Sequence, residues 1–427
     1  MRGLPALGSP TGFATDRGGR LNNLNSPMHS DLIARINTDH LVHNCRVIRG
    51  LCRPGTRICA VLKADAYGHG LSLVAPVLQE AGVEFAAVAT LLEAVELRTV
   101  GWRRPILVLG NVLAVTDPRE RRERLRAIIR HQLTLSITDY EAIKTLSRMD
   151  VRSPVEVHIK VDTGMGRMGV LPDQALFLVQ AVLASPKLRL SGIYSHFATA
   201  DFELRDLVDH QLATFNATLS RLAPLLPPNL ARHLANTAAT LTLPAAHFDM
   251  VRPGLAMYGL VPAEHLGANL TLKPVLRLVS HLTAVKDLPA GHCVGYGQAF
   301  TTRRPTRLGI VPIGYYDGYV RSLSNRAVVG TPDGDAPVIG RVSMDQMAVD
   351  LTDLPPQRLG TEIVIIDDRV DRPNSVPALA RLMNTIPYEV LCLLGQRIQR
   401  IAVGSSCGAT APPLDPRQKQ ALLAATD

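Results

Sequence analysis

Reactive side chains stand at positions where buried strands are predicted to end. In the stretch AVLKADAYGHG, residues 60–70, an apolar run stops at Lys63, and Tyr67 and a Gly-His-Gly run follow it. A lysine held at the end of a rigid strand is able to form a Schiff base with an aldehyde. The two glycines supply backbone freedom beside it. A lone lysine at a strand end usually just reaches solvent, so this interpretation depends on what surrounds Lys63.

The same pattern recurs at four further strand ends. Taken singly, each group has an ordinary explanation: a solvated lysine, a core histidine, a tight glycine turn or a helix N-cap. Five of eight predicted strand ends carry such groups, which favours a shared site. The further residues are Lys160, Arg167, His196, Asn236, Thr237, Arg252 and Gly254.

The elements that position these residues have the pattern of a (β/α)8 barrel. Eight short apolar runs alternate with stretches of helical period between residues 57 and 255, which is the arithmetic of this fold. A doubly wound sheet would usually show a G-x-G-x-x-G turn after its first strand, and this turn is absent. The predicted strands are residues 57–63, 84–89, 105–110, 133–138, 155–161, 190–196, 231–236 and 248–254.

After residue 270 the sequence changes to short β-rich runs joined by Gly, Pro and Asp turns, which predicts a second, mainly β domain. The run PVLRLVS would be its first strand, and DLIARIN (31–37) is expected to pair with it. The predicted segments are a disordered extension 1–30, the barrel 31–270, the mainly β domain 271–405 and a loose tail 406–427.

Composition excludes several classes of protein. No stretch is apolar over the length of a membrane span, and residues 1–29 lack the apolar region of a secretory signal. The net charge of +9 is spread along the chain without a nucleic-acid-binding motif or an aromatic stripe. The six cysteines show no C-x-x-C pair and no zinc spacing. We therefore expect a cytoplasmic protein without a metal site, a nucleic-acid partner or a membrane partner.

The position of Lys63 indicates pyridoxal 5'-phosphate, an aldehyde cofactor that acts as an electron sink. Barrels of this class hold their active sites at the C-terminal ends of the strands, with a phosphate site after strands seven and eight. Thr237 and Gly254 follow those strands, and a glycine lets the backbone approach an anion closely. Tyr67 could donate its phenol to the same phosphate.

Eight motifs together resemble the alanine racemase family, whose members are pyridoxal-phosphate enzymes of fold type III. They are AVLKADAYGHG, KVDTGMGRMG, YSHFATAD, HLANTAA, VRPGLAMYG, GYGQAF, GYYDGY and GRVSMDQ, and the resemblance covers about residues 31–405. The resemblance implies an isomerase that interconverts L-alanine and D-alanine by a two-base mechanism, supplying D-alanine for peptidoglycan. It also implies a homodimer with shared active sites.

The resemblance assigns a role to each matching residue. Lys63 corresponds to the Schiff-base lysine and one catalytic base, and Tyr296 to the opposite base, contributed by the other subunit. Arg252 corresponds to the arginine that faces the pyridine nitrogen, supported by His196. Arg167 corresponds to the arginine that touches the cofactor's phenolic oxygen and the substrate carboxylate.

The remaining positions match by motif as well. Lys160 matches a lysine that is often carbamylated, and Met344 and Asp345 match the substrate-carboxylate site from the other subunit. The cofactor-binding positions are Tyr67, Asn236, Thr237, Gly254 and Leu255. The residues expected to line the corridor through which substrate enters are Asp201, Tyr315, Arg321 and Arg341.

One position departs from the family pattern. Gln396 stands where many members carry a tyrosine near the C-terminus, which removes an aromatic wall and bears on selectivity for small substrates. Three alternatives remain open: a broad-specificity amino-acid racemase, a non-enzymatic pyridoxal-phosphate-binding protein and a decarboxylase. A carrier would not need Tyr296 as a second base, and a decarboxylase would usually require a cysteine where Ser343 stands.

Overall fold

The chain begins with a strand that does not belong to the barrel. The computed structural model describes residues 31–267 and 270–405, so the predicted extension 1–30 and the tail 406–427 lie outside the described residues. Strand β1 (Ile33–Asn37) is followed directly by helix α1 (Thr38–Leu51), whose first turn is capped by the side chain of Asn37. The capping oxygen accepts the backbone N–H of His40.

Eight parallel strands then form one sheet, in the order β8-β7-β6-β5-β4-β3-β2-β9. Most of their residues are buried, as expected for parallel strands covered on both faces. Two backbone hydrogen bonds join the ends of the sheet, from Asp249 N to Arg232 O (3.0 Å) and from Arg252 N to Ala235 O (2.9 Å). The strands are β2 (Arg57–Val61), β3 (Phe85–Val88), β4 (Ile106–Val108), β5 (Thr134–Ile137), β6 (Val155–Lys160), β7 (Leu188–Tyr194), β8 (Ala231–His233) and β9 (Met250–Val251).

Helical segments connect these strands. Polar caps define several of their starts, including a capping box formed by Thr90 and Glu93 and the aspartate caps Asp117 and Asp139. The segments are α2 (Lys63–Tyr67), α3 (Leu71–Glu80), α4 (Leu91–Thr99), α5 (Pro118–Arg130), α6 (Tyr140–Ser147), α7 (Ala175–Leu183), α8 (Asp206–Leu222) and α9 (Thr237–Thr242). Each of the eight predicted barrel strands therefore has its counterpart in the structure.

The second half of the chain is mainly β. It contributes to a nine-stranded sheet of order β11-β14-β17-β16-β15-β18-β10-β1-β19, and β12 and β13 form a separate pair. The strands are β10 (Leu276–His281), β11 (Ala284–Leu288), β12 (Cys293–Val294), β13 (Phe300–Thr301), β14 (Thr306–Val311), β15 (Val328–Thr331), β16 (Gly334–Ile339), β17 (Met347–Asp350), β18 (Glu362–Ile366) and β19 (Gln399–Val403). The helices are α10 (Val376–Met383) and α11 (Pro387–Cys392).

Strand β1 ties the two halves together. It pairs antiparallel with β10, with Ile33 opposite Val279, and parallel with β19, with Ile33 opposite Gln399. The pairing expected between DLIARIN and PVLRLVS is thus confirmed, as is the fold class of a barrel followed by a mainly β domain. Residues 33–37 belong to the second sheet although the predicted barrel range starts at residue 31.

The C-terminal segment packs against the turn that follows β2. Arg400 donates from Nε to the carbonyl of Gly68 at 2.7 Å, and a Cβ at Gly68 would lie 2.3 Å from the carbonyl oxygen of Leu391. A side chain is therefore excluded at Gly68 by both space and its φ of +76°. Across residues 31–267 and 270–405, no helix is long and apolar enough to cross a membrane.

Candidate active site

The turn that carries Lys63 has an unusual backbone. Residues 64–67 are not glycines, yet all four have φ between 53° and 55°, which is the left-handed region. Left-handed helix costs an L-residue roughly 1–2 kcal/mol. The turn is held by side chains: Asp65 Oδ1 accepts the N–H of Leu71 at 2.7 Å, and Glu93 Oε1 accepts the N–H of Ala64 at 2.7 Å. Lys63 thus stands on a conformation that its surroundings impose.

Glu93 fixes this turn to the next barrel strand. Its Oε2 accepts the N–H groups of Ala89 (2.8 Å) and Thr90 (2.9 Å), while Oε1 holds Ala64. One half-buried carboxylate therefore links the end of β3 to the residue after Lys63. Sequence reasoning missed Glu93, although the Thr-x-x-Glu spacing of its capping box was a visible signal.

Gly254 contacts both Thr237 and Tyr67 where β8 and β9 end, and we call these three residues the cup. The N–H of Gly254 donates to Thr237 Oγ1 at 2.9 Å, and the hydroxyl of Tyr67 lies where a Cβ on Gly254 would be 2.5 Å away. Only glycine fits at that position. Leu255 is buried at the start of the following 3-10 turn, and Asn236 caps α9 by accepting the N–H of Ala239 at 3.1 Å.

Tyr388 completes the wall of this cup and was not predicted. Its ring lies 5.8 Å from that of Tyr67, and it interacts with the side chain of Thr237 and the charge of Asp201. Burial is the main reason that its pKa is raised to about 12, so the phenol stays protonated and able to donate. Gln396, the departure from the family pattern, is exposed. The signal for Tyr388 is a contact distant in sequence, which no local pattern reveals.

Arg252 is buried at the end of β9 and donates to four acceptors. These are His233 Nδ1 (2.8 Å), Ser195 O (2.8 Å), His196 Nδ1 (3.1 Å) and Leu234 O (3.2 Å). Because a guanidinium only donates, both imidazoles must accept through Nδ1 and carry their proton on Nε2. Burial and the nearby Arg252 charge lower the pKa of both histidines well below the usual value, so both are neutral.

Tyr194 forms an aromatic floor under these cations. Its ring stacks on that of His233 at 4.7 Å, Arg252 Cζ lies 5.1 Å from its centroid and Lys160 Nζ lies 5.6 Å from it. Its hydroxyl is hydrogen-bonded to Ser136 Oγ at 2.7 Å. A ring face attracts cations, so Tyr194 stabilises the positive charges of Arg252 and Lys160.

Lys160 and Arg167 line one small cavity together with His196. Burial of Lys160, aided by the charge of Arg167, lowers the pKa of its amine to about 8. The loop between them is organised by Asp162, whose Oδ1 accepts three N–H groups and whose Oδ2 accepts the N–H of Arg167 (3.2 Å). Sequence reasoning also missed Asp162, although the Asp-Thr-Gly run at residues 162–164 is a visible turn signal.

The other predicted site residues form a separate group on the mainly β domain. Tyr296 is 71% exposed and Met344 is 50% exposed. Asp345 is paired with Arg397 at 2.8 Å, and Ser343 O accepts the N–H of Tyr315 at 3.0 Å. In the described part of the chain, no hydrogen bond or ion pair joins Tyr296 or Met344 to the barrel residues. The remaining members of this exposed group are Arg321 and Arg341.

The predicted site residues therefore fall into two groups. The barrel-rim group comprises Lys63, Tyr67, Lys160, Arg167, His196, Asp201, Asn236, Thr237, Arg252, Gly254 and Leu255. The β-domain group comprises Tyr296, Tyr315, Arg321, Arg341, Met344 and Asp345. The first group can hold an anionic, carbonyl-bearing cofactor, and the second presents a phenol and a carboxylate on an open surface.

Comparison with known families gives two matches that together span most of the chain. The family description "Alanine racemase, N-terminal domain" matches residues 36–262, and "Alanine racemase, C-terminal domain" matches residues 275–402. The boundary between these matches lies close to the point at which the barrel gives way to the mainly β sheet.

Individual relatives agree with this match. The chain is 37% identical over 366 residues to "Alanine racemase 1" of Caldanaerobacter subterraneus, covering 85% of this chain and 92% of that protein. It is 38% identical to "Alanine racemase" of Nostoc, covering 86% and 95%. The crystal structure of alanine racemase from Streptomyces lavendulae superimposes with a TM-score of 0.81 at 34% identity, covering 88% and 98%. The chain belongs to the alanine racemase family.

Proposed function

We propose that this member of the alanine racemase family interconverts L-alanine and D-alanine with pyridoxal 5'-phosphate bound to Lys63, at sites shared by two subunits. The observation that carries the proposal is the cationic barrel rim. There Lys63, Lys160, Arg167 and Arg252 all act on the pKa of His196, and the phenols of Tyr67 and Tyr388 stand beside them. This rim suits a ligand with a phosphate and a carboxylate.

The residues of the rim fit the cofactor. Lys63 would bind its aldehyde carbon, while Tyr67, Thr237 and Tyr388 would bind its phosphate at the cup, where glycine at position 254 leaves room for the hydroxyl of Tyr67. When bound, the cofactor withdraws electrons from the α-carbon of the amino acid and so acidifies the α-proton. Arg252 would face the pyridine nitrogen. Because arginine does not give up a proton at ordinary pH, that nitrogen would remain unprotonated, which disfavours transamination.

Racemisation requires a proton to leave one face of the α-carbon and another to arrive at the opposite face. A single base would have to cross the plane, so two bases on opposite faces are the simpler arrangement. We propose that Tyr296 takes the proton from the L-enantiomer and that the Lys63 amine takes it from the D-enantiomer. His196 carries its proton on Nε2, and in the shared site this N–H would donate to the oxygen of Tyr296 from the other subunit.

The separation of Tyr296 from its own barrel rim supports a homodimer. Tyr296 and Met344 are exposed, large and apolar in part, and the same surface carries Asp345 and Tyr315. In a two-fold dimer this surface would cover the rim of the other subunit, where Arg167 would bind the substrate carboxylate together with Met344 and Asp345. Asp201, Tyr315, Arg321 and Arg341 would then line the corridor through which substrate enters.

The biological role and selectivity extend this proposal. We propose that the enzyme supplies D-alanine for peptidoglycan in the cytoplasm. The exposed Gln396 leaves a broad-specificity amino-acid racemase as the second candidate. Tyr388 argues against broad specificity, because it places an aromatic ring at the cup although position 396 does not.

Cofactor attachment can be tested by reduction. Borohydride treatment of the holoenzyme should fix the cofactor covalently on Lys63, and peptide mass spectrometry should locate it there. Lys63→Ala should remove both the fixed adduct and racemase activity, because no other amine stands at the end of β2. Fixation on Lys144 or Lys286 in the wild-type enzyme would contradict the assignment.

The two bases should act on opposite enantiomers. Tyr296→Phe removes the phenol but keeps the ring, so it should slow exchange of the α-hydrogen of L-alanine in heavy water by ~10²–10⁴-fold. Early exchange from D-alanine should be affected less, because Lys63 remains. Tyr140→Phe makes the same change at another exposed tyrosine, on α6, and should alter neither rate. Equal loss from both enantiomers would point to one base.

The low pKa of Lys160 makes a modification testable. We propose that its neutral amine adds to CO₂, forming an N–C bond and releasing a proton, so that a carbamate anion replaces a cation beside Arg167. The neutral fraction grows as the pH rises through about 8, so carbamylation should increase over that range. Protein in ¹³C-bicarbonate should give a carbamate NMR signal that Lys160→Gln lacks. The same signal persisting in Lys160→Gln, or its absence from the wild type, would refute this proposal.

A further inference from the structure

A third histidine stands behind the two that contact Arg252. His158 lies on β6 inside the barrel, and its Nδ1 is 2.9 Å from Nε2 of His233. His233 in turn accepts from Arg252 Nη1 through Nδ1 at 2.8 Å. Both rings are buried, His158 to 1% exposure and His233 to 0%. The steps proposed above use neither ring directly, so the chain Arg252–His233–His158 lacks an explanation.

The protons in this chain can point in only one direction. Arg252 has donors and no acceptor, so His233 must accept through Nδ1 and hold its own proton on Nε2. The Nε2–H of His233 then donates a hydrogen bond to Nδ1 of His158, which must be unprotonated. Burial, with the charges of Arg57 and Arg252, lowers the pKa of His158 to about 3, so the ring is neutral and its proton sits on Nε2.

The barrel provides a fitted place for the ring of His158. A Cβ on Gly192 of the neighbouring strand β7 would lie 2.5 Å from Cγ of His158, so the imidazole occupies space that any other residue at 192 would fill. The pairing of β6 and β7 also shifts register between Val157 and His158. On the far side, Tyr194 stacks on His233 with an interplanar angle of 5°. The two rings therefore have little freedom to turn.

We infer that His158 is a positioning residue for Arg252. By accepting a hydrogen bond from the Nε2–H of His233 through its own Nδ1, it fixes the tautomer of His233, and the fixed tautomer presents an acceptor to the guanidinium. Without this acceptor, His233 would be free to place its proton on Nδ1, where it would oppose Arg252. The inference rests on the proposed role of Arg252, and it assigns to His158 the orientation of that arginine.

Two substitutions at His158 distinguish a role as hydrogen-bond acceptor from a role in packing alone. His158→Asn places an amide oxygen near the position of Nδ1 and so keeps an acceptor. His158→Leu fills similar space without one. We expect kcat of the Leu variant to fall by about ten- to a hundredfold, the range seen when outer-shell partners of metal ligands are removed, with KM changed much less. The Asn variant should recover most of the loss, and transamination should rise in the Leu variant alone.

A readout that does not need the cofactor makes the test independent of activity. In ¹⁵N-histidine-labelled protein without cofactor, NMR of the wild type should show His158 and His233 as neutral Nε2–H tautomers. The His233 signals should change in His158→Leu and stay close to wild type in His158→Asn. A Nδ1–H tautomer at either histidine in the wild type would overturn the inference even if no variant folds.

The outcomes also distinguish this inference from the proposed function. Equal losses of kcat in the Asn and Leu variants would mean that His158 only fills space, which overturns the inference. If His158→Leu left both kcat and the rate of transamination unchanged from the wild type, the inference would be overturned as well. If the wild-type holoenzyme proved inactive on alanine, the proposed function would fail, while the tautomers would still report on the histidine chain.

Discussion

The site depends on a buried guanidinium that, among residues 31–267 and 270–405, hydrogen-bonds to neutral acceptors alone. Arg252 is 4% exposed and is satisfied by two backbone carbonyls and two imidazoles, none of them anionic. A buried cation in such surroundings is costly unless its hydrogen bonds are complete. The neutral histidines and the carbonyls beyond β7 and β8 complete these hydrogen bonds, and the face of Tyr194 adds a cation–π contact to the guanidinium. A carboxylate in the place of Arg252 would raise the pKa of a pyridine nitrogen that faced it and so favour its protonation. An arginine in this place does not.

The same constraint explains the electrostatics of the rim. Lys63, Lys160 and Arg167 share the region with Arg252, and after burial, which is the largest cause, their charges lower the pKa of His196. Such a set of cations repels itself in the absence of a ligand. Binding of a phosphate and a substrate carboxylate would relieve that repulsion, as would a carbamate at Lys160. The backbone beside these cations is strained as well. The left-handed turn after Lys63 persists because hydrogen bonds to Glu93, Asp65 and Arg400 hold it.

Local sequence patterns predicted the framework of this molecule and the reactive groups at its rim. Continuous apolar runs located all eight barrel strands, because parallel strands buried on both faces have this composition. Strand β8 ends at His233, before the predicted residue 236, because Leu234 O serves Arg252 and Asn236 caps α9. The roles of Tyr388, Tyr194 and His158 could not be predicted, since each depends on contacts between residues far apart in the chain.

The central claim is that each active site combines Lys63 of one subunit with Tyr296 of the other, and heterodimers test it most directly. Two tags would allow purification of a heterodimer of Lys63→Ala and Tyr296→Phe chains, and of a second one in which a chain with both changes is paired with a wild-type chain. Shared sites predict one intact site in the first heterodimer and none in the second. Activity in the second heterodimer and none in the first would contradict the account.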